Sequence, residues 1–548
     1  MSPHAKAGQG GITPSFQPRQ VEKRAPCQEG CPNCGDIRGW IGTIAQRHKL
    51  GLTEEEAFDR AWAIITEVNP FIATLGRVCP HPCETRCNRA AFDAPVSINA
   101  LERFLGDWGI ERRLALPRLA EEPRPEWVGV VGAGPSGLSF ACHMARRGYR
   151  VTVYEAQEQA GGMLRYGIPD YRLPQSILDA EIRRIVEVGV ELELACVVGR
   201  DVTFEELRRR HAALYVGIGA QAGRGLGVPG EDCEGVWTGT DYLGRVNRGE
   251  SVDLGRSVVV VGGGNTAVDA ARTARRTGAD VTILYRRSRE EMPAFAPEID
   301  EALEEGVKIE FLAAPVRLAS TNGRLDALIA RRMELGPPDE SGRRRPVPIP
   351  GSHFEIPVSS VIAAVSQSPA LDGLQGLPLE DGWLVTGSGG ALDDKVWAGG
   401  DVLGLGIAAE AVVHGRRAAE AVDARLRGLP PQQEDQRLSV GPDRILYGFH
   451  GDKHTARPSH LAPDARLADP SSEVSQGITR EQVLEEAARC FSCGDCFGCQ
   501  QCWMFCTSGC FTKVEEPERG VYFTVSLDTC ERCGKCVEVC PCGYLDVR

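Results

Sequence analysis

Trp127-Val128-Gly129-Val130-Val131-Gly132-Ala133-Gly134-Pro135-Ser136-Gly137 decides the fold of this 548-residue chain. The apolar run through Val131 reads as a buried strand, the glycines as a tight turn, and the residues onward to Arg147 as a helix. A second strand, Tyr149 to Tyr154, ends at Glu155. Gly132, Gly134 and Gly137 let the backbone turn and approach a pyrophosphate. Pro135 and Ser136 open a helix whose N-terminus faces that anion, and Glu155 accepts from ribose hydroxyls. A bare glycine triplet also occurs as a plain turn; with two strands, the helix and the acid it predicts a dinucleotide site.

The unit recurs. A strand over Ser257 to Val261 leads into Gly262-Gly263-Gly264-Asn265-Thr266-Ala267, then a helix to Thr277 and a strand from Asp280 to Tyr285. Gly262, Gly264, Asn265 and Thr266 are therefore candidate NAD(P) contacts. The second strand ends in Arg286-Arg287 where the first ended in an acid, and cations there can face a 2′-phosphate. Solvent-facing arginines would read the same way, so the cofactor is written NAD(P)H. The first unit closes only at Val396-Trp397-Ala398-Gly399-Gly400-Asp401, before a small-residue helix from Ile407 to Val422. Gly400, Asp401 and the helix amides at Ala408 belong near the ribityl and phosphate groups of a flavin.

Two dinucleotide folds, one set between the halves of the other, point to FAD with NAD(P). The chain is read as α/β, with two Rossmann-like dinucleotide-binding domains and the NAD(P) domain inserted in the FAD domain. An N-terminal helical iron–sulfur domain precedes them and a C-terminal ferredoxin-like domain follows. The expected divisions are 1–122 (helical iron–sulfur), 123–226 (FAD, first part), 227–360 (NAD(P)), 361–428 (FAD, second part), 429–485 (a Pro-, Asp-, Gln- and Ser-rich connector over the surface) and 486–548 (ferredoxin-like).

Of 21 cysteines, six lie in residues 27–87 and twelve in residues 490–542. Clustered thiols in a reducing compartment bind metal more often than they pair. Cys496, Cys499, Cys502 and Cys506 form CxxCxxCxxxC, and Cys530, Cys533, Cys536 and Cys540 repeat it before Pro541. In a two-cluster ferredoxin the fourth cysteine of each run serves the other cluster. The expected sets are Cys496, Cys499, Cys502 with Cys540, and Cys530, Cys533, Cys536 with Cys506. Structural zinc also takes four thiolates, without needing an interleaved double run. Cys510 and Cys542 fall outside the pattern.

Net charge of −13 argues against a nucleic-acid binder, and apolar content of 42% is that of an ordinary globular protein. No apolar run approaches the ~20 residues of a membrane span. Met1 to Pro26 has no signal-peptide core, so a cytoplasmic location is expected.

Residues 20–428 resemble the glutamate synthase small-subunit family, which includes the flavin half of dihydropyrimidine dehydrogenase. The matching landmarks are Gly161-Gly162-Met163-Leu164, Tyr166-Gly167-Ile168-Pro169, Tyr171-Arg172-Leu173-Pro174, Val228-Pro229-Gly230-Glu231-Asp232, Tyr285-Arg286-Arg287 with Glu291-Met292-Pro293-Ala294, and Ala364-Val365-Ser366-Gln367. The resemblance implies that Gly162, Met163, Leu164, Arg172 and Gly219 contact FAD. The family's hydroxyl residue at the start of the last flavin-domain helix is replaced by Ala408-Ala409.

It also implies two clusters in the N-terminal domain, yet the CxxC expected before Cys27 is absent: Glu22-Lys23-Arg24-Ala25-Pro26 stands there. Glu486-Ala487-Ala488-Arg489-Cys490-Phe491-Ser492-Cys493 looks like the missing segment moved to the tail. On that reading Cys490 and Cys493 complete a cluster with Cys27 and Cys87, in the same chain or from a dimer mate. Cys31, Cys79 and Cys83 hold the other with Glu102, a residue that could equally be a surface carboxylate. Cys34 has no counterpart and reads as a bystander, and His81 as structural.

Three to four 4Fe–4S clusters are expected, with four the best fit. The whole layout is similar to the NAD(P)H:acceptor oxidoreductases encoded with dissimilatory sulfite reductase. The similarity includes Ala7 to Phe16, the Ala25-Pro26-Cys27 segment and the ferredoxin tail. It implies electron transfer between NAD(P)H, FAD, clusters and that enzyme or another redox protein, in sulfur oxidation or sulfite reduction, by a homodimer. The alternatives are the electron-input subunit of a glutamate synthase or of a 2-oxoacid oxidoreductase, and a non-enzymatic redox sensor.

Overall fold

A computed structural model describes residues 17–340, 342–430 and 435–547. Ala7 to Phe16 lies outside them. Trp127–Val131 is the middle strand of a five-stranded parallel sheet ordered Val396–Ala398, Ala213–Val216, Trp127–Val131, Arg150–Tyr154, Val190–Glu193. Val130 and Val131 are buried on opposite faces, as a parallel strand covered on both sides requires. The edge strand Val396–Ala398 arrives only after the whole second dinucleotide domain, so the insertion expected from the glycine motifs is what the sheet shows.

The second sheet is also parallel: Lys308–Phe311, Asp280–Tyr285, Ser257–Val261, Ser360–Ala363, Val236–Thr238. Between Phe311 and Ser360 the chain makes an antiparallel three-stranded meander, Ala313–Thr321, Arg324–Pro338 and Arg344–Pro357. The motifs gave no sign of it.

The N-terminal region is helical, with Ile37–Ala45, Glu54–Thr66, Ile72–Val78 and Ile98–Glu111. Thr53 starts the second of these: its Oγ1 accepts from the Glu56 N–H at 3.3 Å, and Glu56 Oε2 accepts from the Thr53 N–H at 2.8 Å. The apolar faces of these helices, Trp40, Phe58, Trp62 and Leu101 among them, run without a break into the core under the first sheet.

The connector, expected to lie over the surface, is instead tied down. Val440 and Ile445 are buried, the Val440 N–H donates to Arg24 O at 3.1 Å, and Arg466 pairs with Glu304 at 3.0 Å. Helix Arg480–Ala487 then packs on Ile37–Ala45 and Ile98–Glu111. Behind it Arg489 is buried against Asp93 at 3.0 Å and Glu486 at 2.5 Å. Beyond the hairpin Phe511–Glu518 and Val521–Val525, the last strand Leu545–Val547 pairs antiparallel with Pro18–Gln20. Among the described residues no helix is long and apolar enough to cross a membrane.

Arg489→Ala leaves the buried Glu486 without its cation and Asp93 with Arg89 alone. A loss of about 3–5 kcal/mol in the docking of the tail is expected. Earlier proteolytic release of residues beyond 480, measured against urea concentration, would register it; an unchanged release profile would contradict the role given to this ion pair.

Candidate flavin, nucleotide and cluster sites

The two glycine turns open onto one cavity of about 770 Å³. From the flavin set Pro135, Met163, Leu164, Arg172, Asp401 and Ala408 line it, and from the nucleotide set Gly262, Gly264, Asn265, Thr266, Arg286 and Arg287. The remaining flavin candidates stand behind this wall and shape it. Gly137 packs so tightly on the turn that a Cβ there would sit 2.0 Å from Gly132 O. Gly162, at φ +53°, lies against Gly134, and its Cβ would fall 2.7 Å from Gly134 Cα. Larger residues would close the approach a pyrophosphate needs. Glu155 ends its strand as expected, accepting from the Ala133 N–H at 2.6 Å and the Gln157 N–H at 2.9 Å. Ser136 Oγ shares a 2.6 Å hydrogen bond with Tyr215 Oη, and Gly400, at φ +77°, packs on Ser136. Gly219, at φ +68°, has open space where its Cβ would be. Burial pushes Asp401 up to about 6.

Two arginines are placed otherwise than their motifs implied. Arg172 lines the cavity, but its guanidinium is held by Asp269 at 2.7 Å and Glu298 at 3.0 Å, both in the inserted domain. Arg287 is buried, with Nε donating to Arg344 O at 2.7 Å and Nη2 on Asp339 at 2.5 Å. Arg286 is the exposed member of that pair.

The cysteines gather in four groups. Cys27 feels the charges of Cys87, Cys490 and Cys493, all from the same chain. Arg38 donates to Cys493 O at 2.7 Å across 455 residues of sequence, and Asn88 to Cys493 Sγ at 3.4 Å. Cys31, Cys79 and Cys83 face one another and Glu102, whose carboxylate accepts from Asn69 at 2.9 Å and is raised by burial to about 7. Cys496, Cys499 and Cys502 surround Cys540, and Cys536 faces Cys506, Cys530 and Cys533. These are the four sets read from the sequence.

Burial pushes Cys31, Cys490 and Cys536 up to about 11 and Cys79, Cys496 and Cys502 to about 12. Such groups hold thiolates only beside a cation, which suits cluster ligation. Among the described residues no three such side chains converge closely enough for a single ion. Four thiolates, or three with a carboxylate, are a donor set that an iron–sulfur core takes.

Cys34 is exposed and stands outside all four groups. Cys510 and Cys542 are buried, each beside a fourth cysteine: the Cys510 N–H donates to Cys506 Sγ at 3.3 Å, and Cys542 Sγ is 3.8 Å from Cys540 Sγ. What the motifs did not reveal is that Val78 and Pro80, on either side of Cys79, also line the dinucleotide cavity.

A profile for the pyridine nucleotide-disulphide oxidoreductases matches residues 126–416, and one for the dihydropyrimidine dehydrogenase domain II, 4Fe-4S cluster, matches residues 22–114. The NADP(+)-dependent formate dehydrogenase subunit beta of Moorella thermoacetica is 37% identical over 513 residues, 86% of this chain and 70% of that protein. The glutamate synthase (NADPH) small chain of Azospirillum brasilense is 33% identical over 424 residues, 73% of this chain and 86% of that one. The fold is shared with Mycobacterium tuberculosis FprA in complex with NADPH, at a TM-score of 0.50 and 20% identity over 56% of this chain and 85% of that one. The chain belongs to the pyridine nucleotide-disulphide oxidoreductase family, in the branch that contains glutamate synthase small subunits. It is a flavin- and iron–sulfur-dependent oxidoreductase.

If Arg172 is held by the carboxylates and not by flavin, Arg172→Met keeps its FAD through desalting. It also loses about 3–5 kcal/mol of stability, because the buried Asp269 loses its ion-pair partner while Glu298 keeps only Arg272. Flavin absorbance after gel filtration and the urea midpoint separate the two roles; loss of flavin at an unchanged midpoint would restore Arg172 as a flavin contact.

Proposed function

We propose that this chain passes electrons between NADP(H) and a protein partner through FAD and four 4Fe–4S clusters held by the four groups above. One observation carries the reading: the residues flanking Cys79 form part of the wall around the dinucleotide cavity, so one cluster site begins where the flavin site ends. Among the described residues no cysteine lines that cavity. When bound, FAD supplies the exchange between two-electron nicotinamide chemistry and one-electron cluster chemistry.

The chain's own residues set the order. Cys27 and Cys31 lie one helical turn apart, the Cys31 N–H donating to Cys27 O at 3.1 Å, which makes the first and second groups neighbours. Cys493 and Cys496, three residues apart, tie the first to the third, so the Cys27 group stands between the Cys79 group and the tail. Cys506 and Cys540 each cross between the third and the fourth.

The relatives' names, a subunit beta and a small chain, support a protein partner. For that partner we favour dissimilatory sulfite reductase, on the layout of the N-terminal and C-terminal segments, with electrons running either way. A homodimer follows from the same likeness, and all 21 cysteines being unpaired supports the reducing cytoplasm. The relative named as a formate dehydrogenase subunit supports a second reading, electron input to a different enzyme.

Full-length protein is expected to carry about sixteen irons, falling to about twelve in Cys490→Ser with Cys493→Ser, and to reduce a viologen dye rapidly with NADPH. Wild type saturating at about twelve would remove the composite cluster, and negligible dye turnover would favour a sensor. Stimulation by purified dissimilatory sulfite reductase, but not by a formate dehydrogenase catalytic subunit, is the expected result for the partner.

A further inference from the structure

Among the described residues, five cysteines and not four line the cavity of the third group. Cys496, Cys499, Cys502 and Cys540 are the set read from the spacing, and Cys542 stands with them. Cys542 is 2% exposed, and its Sγ lies 3.8 Å from Cys540 Sγ. The turn that carries it is pinned from two sides. The Gly494 N–H donates to Cys542 O at 2.6 Å, and Lys23 Nζ donates to Gly543 O at 2.6 Å. The thiol itself donates to Asp495 O at 3.1 Å.

A buried thiol needs no task, since cysteine packs as a small hydrophobe and one hydrogen bond satisfies it. That accounts for the burial of Cys542 and for its bond to Asp495. It does not account for a further sulfur on the cavity wall, against the very thiol that crosses from the last cysteine run. A 4Fe–4S core takes four thiolates, so a fifth has no iron of its own. Two sulfurs 3.8 Å apart address one corner of such a core, and either can serve the iron there. The ligating form is the thiolate, so which of the two serves is decided by where one proton sits.

We infer that Cys542 is a reserve ligand for the iron served by Cys540. This rests on the cluster reading above and adds a fifth thiol to the third set. In the exchange the iron–sulfur bond to Cys540 breaks and one to Cys542 forms, while the Cys542 thiol proton passes to Cys540. No electron moves and the charge of the site is unchanged, so no co-reactant is needed. The displaced Cys540 stays in contact, and the return is open by the same path. A site built this way keeps its iron when one of the two thiols lets go.

The test uses the full-length holoprotein, with iron content and EPR as readouts. Cys540→Ala is expected to keep the wild-type iron content. Cys540→Ala with Cys542→Ala is expected to lose about one to four irons per chain, with a 3Fe–4S signal marking loss of the corner iron alone. Cys499→Ala, which leaves both thiols in place, should lose iron as the double variant does. Bound flavin absorbance shows that the rest of each variant has folded. Should Cys540→Ala not fold, Cys542→Ser supplies a second measurement, because its hydroxyl keeps the bond to Asp495 O and removes the sulfur. Its iron should pass to a ferrous chelator several-fold faster than that of wild type, without air. Cys540→Ala losing as much iron as the double variant, or an unchanged release rate in Cys542→Ser, overturns the inference alone. An unchanged iron content in Cys499→Ala overturns the cluster reading of the third group beneath it.

Discussion

The return of the tail to the N-terminal helices is the contact on which the rest depends. Cys27 and Cys87 come from one end of the chain, and Cys490 and Cys493 from the other. Their meeting is enforced by groups that could not be buried singly. Arg489 is 1% exposed between Asp93 and Glu486, and Arg89 donates to Arg489 O at 2.5 Å while pairing with Asp93 at 2.6 Å. Charges this deep are tolerated only when every one has its partner, so the tail has one seating and not a range of them. The second strand of contacts, Lys23 on Asp546 at 2.9 Å and Pro18–Gln20 along Leu545–Val547, closes the chain behind it.

A second buried network orients the two dinucleotide domains. Arg172 reaches from the flavin domain to Asp269 and Glu298. Beside it the Tyr171 ring lies under Arg276 at 3.7 Å and Arg272 at 4.8 Å, and Arg272 and Arg276 both pair with the fully buried Glu305. Burial holds the Asp269 carboxyl up to about 6 even beside Arg172. Asp269 lies in the helix that begins at Asn265, on the nucleotide turn. The orientation of the inserted domain is thereby set by the same helix that would receive the pyrophosphate, which keeps the two turns facing one cavity.

Much of this was legible in the sequence because the signals are local. Glycine turns, the acid after a strand and the cysteine spacings are each fixed by the geometry of a few consecutive residues. Even the composite group was readable, since the Arg489-Cys490-Phe491-Ser492-Cys493 segment carries its own pattern wherever it stands. What escaped were features set by partners distant in sequence. Arg172 belongs to a motif that implies flavin, yet its surroundings are two carboxylates from another domain. Arg286 and Arg287 are adjacent and alike in sequence, and only the hairpin tip separates an exposed cation from a buried strut. The connector's polar composition suggested a loose strap because Val440, Ile445 and Arg466, the residues that anchor it, are scattered among many that do not.

The placement of the four groups has a consequence for the flow of charge. Those nearest the cavity are the most enclosed: Cys83 is 6% exposed, and burial is the main cause raising Cys27 and Cys493. The last group includes Cys533, which is exposed, and follows Trp503, Met504 and Phe505, exposed by 42%, 55% and 48%. An added electron is a negative charge, costlier to hold in an enclosed apolar setting than beside water. On the proposed reading, with similar ligands, the outer sites would be the easier to reduce, and Glu102 in place of a thiolate would set the innermost site apart. On that reading the fold grades the path through burial, from the cavity onto which both glycine turns open to the exposed apolar side chains beside the last group.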